Sequence, residues 1–322
     1  MGERSDSALR RASVAVVGLG ATGSIIASWL ARAGVAHLSL IDRDLVELSN
    51  LQRQMLYSEA DLGKPKAAAA AEALHRANSE IDISPLTADL TSGNALDTLS
   101  GFDLIMDGTD NFEARYLIND VSLLKHTPWI YCGAIGGEAI AWPIVPPKTP
   151  CLRCLMEEPP EAGDVDTCDG TGVLGPAVGV AASWSAMEAI KILAGKQPAT
   201  ELARFGLWDD SRQFISPPRT RCRYCSEKIT EFLDERWSVR ATALCGLDGV
   251  QIRVNPPGDI NLEQLRPRLE ARTGANWKLG PLALAGNDGE LEITIFRDGR
   301  ALIRGQVSPE RARSWYAEVV GC

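Results

Sequence analysis

The sequence lacks several features that would place it in a membrane, outside the cell or on nucleic acid. None of its apolar runs approaches the roughly 18 residues of a membrane-spanning helix. Its first residues, MGERSDSALRR, lack the apolar core of a secretion signal. Lysine and arginine number 33 against 42 aspartates and glutamates, a formal net charge of -9 that disfavours a nucleic-acid partner. These absences predict a cytoplasmic protein with neither a membrane nor a nucleic-acid partner.

Histidine is scarce, with three residues in 322, whereas cysteine is not, with eight. In a reducing compartment, paired cysteines are read as metal ligands rather than disulfides. CLRC, from Cys151 to Cys154, and CRYC, from Cys222 to Cys225, together offer four thiolates. Two such CxxC knuckles predict one closed, structural zinc site, with a redox pair or an empty site as the alternatives.

Strand and helix patterns alternate through the first two thirds of the chain. The apolar run VAVV leads into GLGATG and an amphipathic helix, HLSLID follows as a second strand, and FDLIMD predicts another strand that ends at Asp107. This alternation predicts an α/β fold with a doubly wound, Rossmann-like, mostly parallel sheet. From about residue 240, shorter strand and helix patterns, with a hairpin across Asp298 and Gly299, predict a small α+β domain. The predicted domains are 1–228 for nucleotide and zinc binding, 229–239 as a connector, and 240–322.

A glycine motif predicts a phosphate-binding turn. Gly18, Gly20 and Gly23 form GxGxxG between a predicted strand and a predicted helix, whose free N–H groups would face a phosphate. Asp42 ends the next strand, where a carboxylate can accept hydrogen bonds from a ribose. The motif alone does not separate NAD from ATP, and a glycine-rich turn without a ligand is the alternative.

The polar residues after Asp42 favour a triphosphate. Asn50, Arg53 and Gln54 lie in one polar stretch, and Lys66 begins the next predicted helix. Fixed cations suit a triphosphate because negative charge accumulates on the leaving pyrophosphate. Asp110 follows the predicted strand end and is placed to hold magnesium. Taken singly, each cation would be read as ordinary surface charge.

Several motifs extend in order from about residue 12 to residue 228: GLGATG, IDRDLVELSNLQRQ, GKPKA, DGTDN, CLRC, GVLGPAVGVAASWSAMEAIKILAG and CRYC. Together they resemble the ThiF/MoeB/HesA family, the bacterial relatives of ubiquitin-activating enzymes. The resemblance implies an adenylyltransferase that uses ATP and Mg²⁺ on the C-terminal glycine of a ubiquitin-like sulfur carrier ending in Gly-Gly and releases pyrophosphate. The pathway would be thiamin, molybdopterin or tRNA thiolation. An ionised carboxylate needs no general base, which agrees with a site built from Arg, Lys and Asp.

The resemblance also implies roles for individual residues. Asp42 would hold the ribose, Asn50, Arg53 and Lys66 the phosphates, and Asp110 magnesium. The zinc ligands would be Cys151, Cys154, Cys222 and Cys225. In the family the nucleotide site is completed across a homodimer. A separate sulfurtransferase would be a further partner.

Cys168 lies in the polar, glycine-rich stretch DTCDGTG, which predicts a loop. It is similar to a family loop whose cysteine bonds covalently to the carrier or to sulfur, so that Arg53, Lys66, Asp110 and Cys168 are the expected catalytic residues. Asp166 and Asp169 flank the thiol and would raise its pKa, and an incidental cysteine is the alternative.

The sequence departs from the family pattern in two places. Arg4, Arg10 and Arg11 are the arginines near the start, and none lies in the family motif that reaches across the dimer. The chain also shows no rhodanese pattern for sulfur delivery. The remaining hypotheses are therefore a non-catalytic carrier-binding scaffold, adenylation of a peptide or small-molecule carboxylate, and, least favoured, a nicotinamide oxidoreductase.

Overall fold

The computed structural model describes residues 3–159, 172–218, 222–233, 242–243, 249–252 and 260–308, and then 311–312, 315–316 and 319–320. The chain divides into two compact units, Met1–Glu235 and Arg236–Cys322. The domain bounds at 228 and 240 stay a prediction. Cys168, with its neighbours Asp166 and Asp169, lies outside the described residues.

The described residues of the first unit form eight strands in a single sheet. The sheet order is β3-β2-β1-β4-β5-β6-β7-β8, in which β1 to β5 are parallel and β6, β7 and β8 are antiparallel to their neighbours. In chain order the strands are β1 (Ser13–Val17), β2 (His37–Ile41), β3 (Asp82–Leu86), β4 (Leu104–Asp107), β5 (Trp129–Ile135), β6 (Glu138–Ile144), β7 (Leu202–Gly206) and β8 (Ser211–Ile215).

Helices cover both faces of this sheet. Alternate side chains of β1 point to opposite faces, so that Val14 and Val16 pack with α2, α3 and α7, whereas Ala15 and Val17 pack with α4 and α5. The described α-helices of the unit are α1 (Glu3–Leu9), α2 (Ala21–Arg32), α3 (Lys66–Ala77), α4 (Ala95–Leu99), α5 (Phe112–Lys125), α6 (Leu152–Leu155), α7 (Gly175–Leu193) and α8 (Arg223–Glu227). Among the described residues, no helix is long and apolar enough to cross a membrane.

The strand order reverses at β1, which places three loops side by side. The chain runs from β1 outward to β2 and β3, and returns to the other side of β1 as β4. Val17 pairs with Ile41 on one side and with Asp107 on the other. The loops that begin at Gly18, Asp42 and Gly108 therefore lie together at the carboxyl ends of these strands. Doubly wound proteins bind their ligands at this position.

The sequence patterns located the central strands but predicted none of β3, β7 and β8. Strand β4 ends at Asp107, as predicted, and β5 and β6 flank Gly136 and Gly137. Strand β3 is an edge strand, mostly exposed and with Pro85 inside it. An edge strand is hydrogen-bonded on one side only and need not be apolar on both faces, so it tolerates proline and polar residues. Its sequence therefore carries little strand signal.

The described part of the second unit is a six-stranded antiparallel sheet with a helix, which agrees with the predicted α+β class. Its order is β11-β12-β13-β14-β10-β9, and the predicted hairpin across Asp298 and Gly299 joins β13 to β14. A buried apolar cluster, including Trp277, packs α9 onto this sheet. The elements are β9 (Thr242–Ala243), β10 (Gly249–Ile252), α9 (Leu262–Thr273), β11 (Lys278–Leu279), β12 (Ala283–Asp288), β13 (Leu291–Phe296) and β14 (Ala301–Arg304).

Candidate functional site

The glycine motif forms a close-packed turn between β1 and α2. Gly18 has φ +81°, a conformation that other residues rarely adopt. A Cβ on Gly23 would lie 1.8 Å from the carbonyl oxygen of Gly18, and one on Gly108 would lie 2.3 Å from the same atom. At Gly20 the nearest atom would be 3.8 Å away. Because Gly18, Gly23 and Gly108 have no Cβ, the backbone of the glycine turn can contact the backbone of the loop after β4. Gly20, by contrast, leaves space in front of the turn.

The N-terminus of α2 faces that space without a side chain to cap it. Gly20 is the N-cap residue and makes no side-chain cap hydrogen bond. The first N–H groups of a helix favour an anion, because they lack partners within the helix and lie at the positive end of its dipole. The turn is therefore suited to a phosphate, and the binding of one stays a prediction.

Asp42 holds this turn through its carboxylate. One oxygen accepts from the N–H of Leu19 at 2.6 Å, and the other accepts from the N–H of Asp44 at 2.7 Å. Asp42 is buried, and burial raises its pKa while the nearby Lys66 lowers it. The carboxylate thus links the end of β2 to the glycine turn. Its contact with a ribose stays a prediction.

Lys66, the first residue of α3, is a buried cation surrounded by carboxylates. Its Nζ lies 3.5 Å from Oδ2 of Asp44. Burial disfavours the charged amine, but Asp44, Asp42 and Asp110 outweigh that effect and raise the pKa of Lys66. Lys66 therefore stays charged at neutral pH. A second cation, Arg43, lies with its Nε 3.6 Å from Oδ1 of Asp44, so the carboxylates of this cluster share two cations.

Asp110 lies in the loop between β4 and α5, and its side chain is exposed. Magnesium bound with a nucleotide commonly takes one or two protein carboxylates and completes its shell with phosphate oxygens and water. An accessible carboxylate near Lys66 and the N-terminus of α2 fits that donor set. The residues present are therefore compatible with magnesium.

The polar stretch after Asp42 brings Gln54 to the glycine turn. The side chain of Gln54 is buried, with its Nε2 3.8 Å from the Cβ position of Gly20. Its Oε1 is buried and has no hydrogen-bond partner among the described residues. An unpartnered buried oxygen is unfavourable, and only a ligand group that donates a hydrogen bond to Oε1 would relieve that cost.

Asn50 and Arg53 lie on the adjoining turn and contact Ser49. Asn50 donates from Nδ2 to Oγ of Ser49 at 3.3 Å, and Arg53 donates from Nη1 to the Ser49 carbonyl at 3.2 Å. Asn50 belongs to a short 3-10 helix, Leu48–Asn50. Their predicted phosphate contacts stay predictions.

Two residues that sequence reasoning missed support the same site. Tyr57 donates its hydroxyl to the carbonyl of Leu19 at 2.8 Å and so holds the glycine turn from the opposite side to Asp42. Asp44 pairs with Lys66 and lies only two positions after Asp42, a spacing that could have drawn attention to it. Tyr57 offered no comparable signal.

The four cysteines of the two CxxC motifs come together in the first unit. All four Sγ atoms lie within 4.8 Å of one another. Individual Sγ–Sγ separations are 3.8 Å for Cys151 and Cys154, 3.9 Å for Cys151 and Cys222, 3.3 Å for Cys154 and Cys225, and 3.1 Å for Cys151 and Cys225. Bonds of about 2.3 Å to a tetrahedral zinc ion would place sulfurs about 3.8 Å apart. Four thiols at this spacing fit zinc.

Arg153 holds the two CxxC motifs together next to the thiols. Its side chain is fully buried, and its guanidinium donates to carboxylate oxygens of Glu158 at 3.0 Å and Glu231 at 3.2 Å. The backbone N–H of Leu152 donates to Asn119 on α5 at 3.0 Å. Cys132, by contrast, is buried on β5 and does not belong to the group of four.

These features describe a doubly wound α/β protein with a nucleotide-type glycine turn at its topological switch point. Residues 1–226 match the model of the ThiF family. The chain belongs to the ThiF family, which confirms the resemblance found in its motifs.

Relatives support the same class of enzyme. The chain is 36% identical over 326 residues to "Sulfur carrier protein ThiS adenylyltransferase" of Bacillus subtilis, covering 100% of this chain and 96% of that protein. It is 37% identical over 256 residues to "Sulfur carrier protein adenylyltransferase" of Thermus thermophilus, covering 77% and 93%. Both are adenylyltransferases, which is the enzyme class predicted from the sequence.

Solved structures support the fold. The crystal structure of E. coli MccB with ATP superposes with a TM-score of 0.62 at 24% identity, covering 69% of this chain and 69% of that one. The predicted Rossmann-like fold class is thereby confirmed.

Proposed function

We propose that this protein adenylates the C-terminal glycine of a ubiquitin-like sulfur carrier, using ATP and releasing pyrophosphate. The observation that carries the proposal is buried, charged Lys66 beside Asp44, near the open N-terminus of α2. The near full-length similarity to a sulfur carrier adenylyltransferase supports the choice of substrate.

The chemistry needs positioning and charge more than proton transfer. A carboxylate oxygen of the carrier attacks the α-phosphorus of ATP, an anhydride bond to AMP forms, and the bond to pyrophosphate breaks. The attacking carboxylate is already ionised, so no base is required. The charge that moves onto pyrophosphate is what the site must stabilise.

The residues of the site divide this work between them. Lys66 and Arg53 would bind the phosphates that leave, and the N–H groups at the start of α2 would bind the phosphate nearest the glycine turn. Asp42 would accept from the ribose, and Asn50 and Gln54 would donate to phosphate or ribose oxygens.

Asp110 would bind magnesium at the edge of the site. Bound there, magnesium would supply positive charge to the phosphate oxygens. The exposure of Asp110 leaves its carboxylate accessible for this role, and the nearby Lys66 would hold the same phosphates.

The four cysteines would hold structural zinc. Cys151 and Cys154 follow β6, whereas Cys222 and Cys225 follow β8, so one ion would join two segments that flank the second half of the sheet. A closed set of four thiolates leaves no open position for catalysis. We assign zinc to folding rather than to the reaction.

Cys168 is proposed as the thiol of a later sulfur-transfer step. Adenylation itself needs no thiol, so Cys168→Ala should leave carrier-dependent pyrophosphate exchange intact. It should reduce thiocarboxylate formation on the carrier if this chain handles sulfur itself. If a separate sulfurtransferase attacks the adenylate directly, both assays should be unchanged. Loss of pyrophosphate exchange in Cys168→Ala would show that this order of steps is wrong.

A homodimer is proposed from an exposed apolar surface on the first unit. Trp29, Met187 and Phe214 are each about half exposed. They are neighbours, since Trp29 donates to Ser183, one helical turn before Met187, and Phe214 contacts Trp184. Exposed apolar patches of this kind are typical of subunit contacts. Sedimentation of Met187→Glu should show monomers, and an unchanged mass would refute this surface as the contact.

Pyrophosphate exchange tests the proposed function directly. Wild-type protein should exchange pyrophosphate into ATP only with a carrier that ends in Gly-Gly, and Asp110→Ala should abolish the exchange while keeping the fold. Calorimetry should detect ATP binding with magnesium and no NAD binding. Tight NAD binding without ATP binding would overturn the proposal.

A further inference from the structure

Arg115 lies buried on α5 between the loop after β4 and strand β5. Its Nε donates to Oδ2 of Asp107 at 3.0 Å, and its Nη1 donates to the hydroxyl of Tyr131 at 3.2 Å. Its Nη2 donates to the carbonyls of Thr109 at 2.9 Å and Cys132 at 3.2 Å. One guanidinium therefore joins the last residue of β4, the backbone next to Asp110, and β5.

Asp107 tightens the same loop from within. Its Oδ1 accepts from the N–H of Thr109 at 2.9 Å and from the hydroxyl of Thr109 at 2.7 Å. The carboxylate of Asp107 is fully buried. Thr109 is thus held on both sides, its N–H by Asp107 and its carbonyl by Arg115, and Asp110 is the next residue.

The pair of Asp107 and Arg115 is poorly explained by stability alone. Well-packed apolar side chains can often replace a buried ion pair at no loss of stability. The four donor contacts of Arg115 exploit the planar fork of its guanidinium, which a lysine cannot reproduce. Burial lowers the pKa of Arg115, but Tyr131, Asp107 and, least of the three, Asp110 outweigh that effect and raise it. The network is centred on the residue before Asp110.

We propose that Arg115 is the positioning residue for Asp110, holding its backbone so that the carboxylate faces magnesium bound with ATP. This inference rests on the proposed function. It predicts that loss of the Arg115 fork specifically lowers the affinity for the magnesium that supports nucleotide binding. Residues that orient a metal ligand commonly change metal affinity by about 10- to 100-fold when replaced.

The test compares Arg115→Lys with Arg153→Lys. Both substitutions change a buried arginine that contacts carboxylates and aromatic rings, but Arg153 lies beside the cysteines. ATP binding is measured by calorimetry across a magnesium titration, with urea unfolding of each variant alongside. Arg115→Lys should raise the half-saturating magnesium concentration by about tenfold or more. Arg153→Lys should leave it unchanged even where it loses comparable stability.

Tyr131→Phe provides a milder variant should Arg115→Lys fail to fold. It removes one acceptor of Arg115 and should shift the magnesium response in the same direction by a smaller factor. An unchanged magnesium response in folded Arg115→Lys, or in Tyr131→Phe if the former does not fold, would overturn the inference. So would an equal shift in Arg153→Lys.

Asp110→Ala separates this inference from the proposed function. If Asp110→Ala loses the magnesium response while Arg115→Lys keeps it, only the positioning role is wrong. If Asp110→Ala responds to magnesium as the wild type does, the proposed magnesium site is wrong, and the role of Arg115 falls with it.

Discussion

The guanidinium of Arg153 stacks on the ring of Tyr224, with its central carbon 3.3 Å from the ring centroid. Arg153 comes from the first CxxC motif and Tyr224 from the second. The contact therefore holds the two motifs together independently of any metal, and both side chains are buried.

Replacing Arg153 by Ala should destabilise the first unit. The change removes the stacking on Tyr224 and the contacts with Glu158 and Glu231, and we expect a loss of about 2 kcal/mol or more, measured by urea unfolding. Arg223→Ala is the matched control, because Arg223 also stacks on Tyr224, at 4.8 Å, but its side chain is half exposed. An equal loss in both variants would contradict this account.

Replacing Cys151 by Ser should remove the bound metal and impair folding. Structural zinc contributes on the order of 10 kcal/mol in small zinc modules, so the loss of one ligand should affect folding more than chemistry. Metal analysis of purified wild-type protein should find one zinc per chain. Cys132→Ala, a buried cysteine outside the group of four, should retain it. A stable, active Cys151→Ser protein without zinc would refute the structural role.

Replacing Gly23 by Ala should disrupt the glycine turn. The new Cβ would lie 1.8 Å from the Gly18 carbonyl oxygen, and backbone must move to admit it, at an expected cost of about 3 kcal/mol or more. Gly179→Ala on α7 is the control, since nothing lies within 4 Å of its Cβ position. There Ala should stabilise the helix by about 0.5–1 kcal/mol. Equal unfolding midpoints for the two variants would count against this packing.

Asp120 should make stability fall as pH rises toward 7. Burial raises the pKa of Asp120 from 3.8 to about 7, although the Phe232 N–H, which donates to it, and Arg153 lower it. The folded state therefore holds an extra proton between these two values, and its stability declines as pH rises through that window until the folded protein also ionises. Between pH 6 and pH 8 the free energy of unfolding should fall by a further amount of about 1.4 kcal/mol.

Asp120→Asn isolates this effect. Asparagine keeps an oxygen to accept from the Phe232 N–H but does not titrate, and other ionisable groups cancel in the comparison. The stability of the wild type relative to Asp120→Asn, measured by urea unfolding at pH 6 and pH 8, should decline by about 1.4 kcal/mol. A difference independent of pH would show that Asp120 does not titrate in this window.

Sequence motifs predicted those parts of the site whose residues lie close together in the sequence. GxGxxG sets the turn because a backbone at φ +81° and the contact at Gly23 require glycine. Asp42 and Asp107 could be placed because each follows an apolar strand. Lys66 was identified as a cation, but its burial beside Asp44 was not, since the two lie 22 positions apart.

The sequence by itself determined the family, the glycine turn, the ends of the central strands and the cysteine spacing, because each is set by residue types at short, fixed separations. Only the tertiary structure decided which distant residues meet. Cys151 reaches Cys222 across 71 positions, and the carbonyl of Cys132 on β5 accepts from Arg115 on α5. Such contacts depend on strand order and register across the whole sheet, and on burial that no single motif encodes.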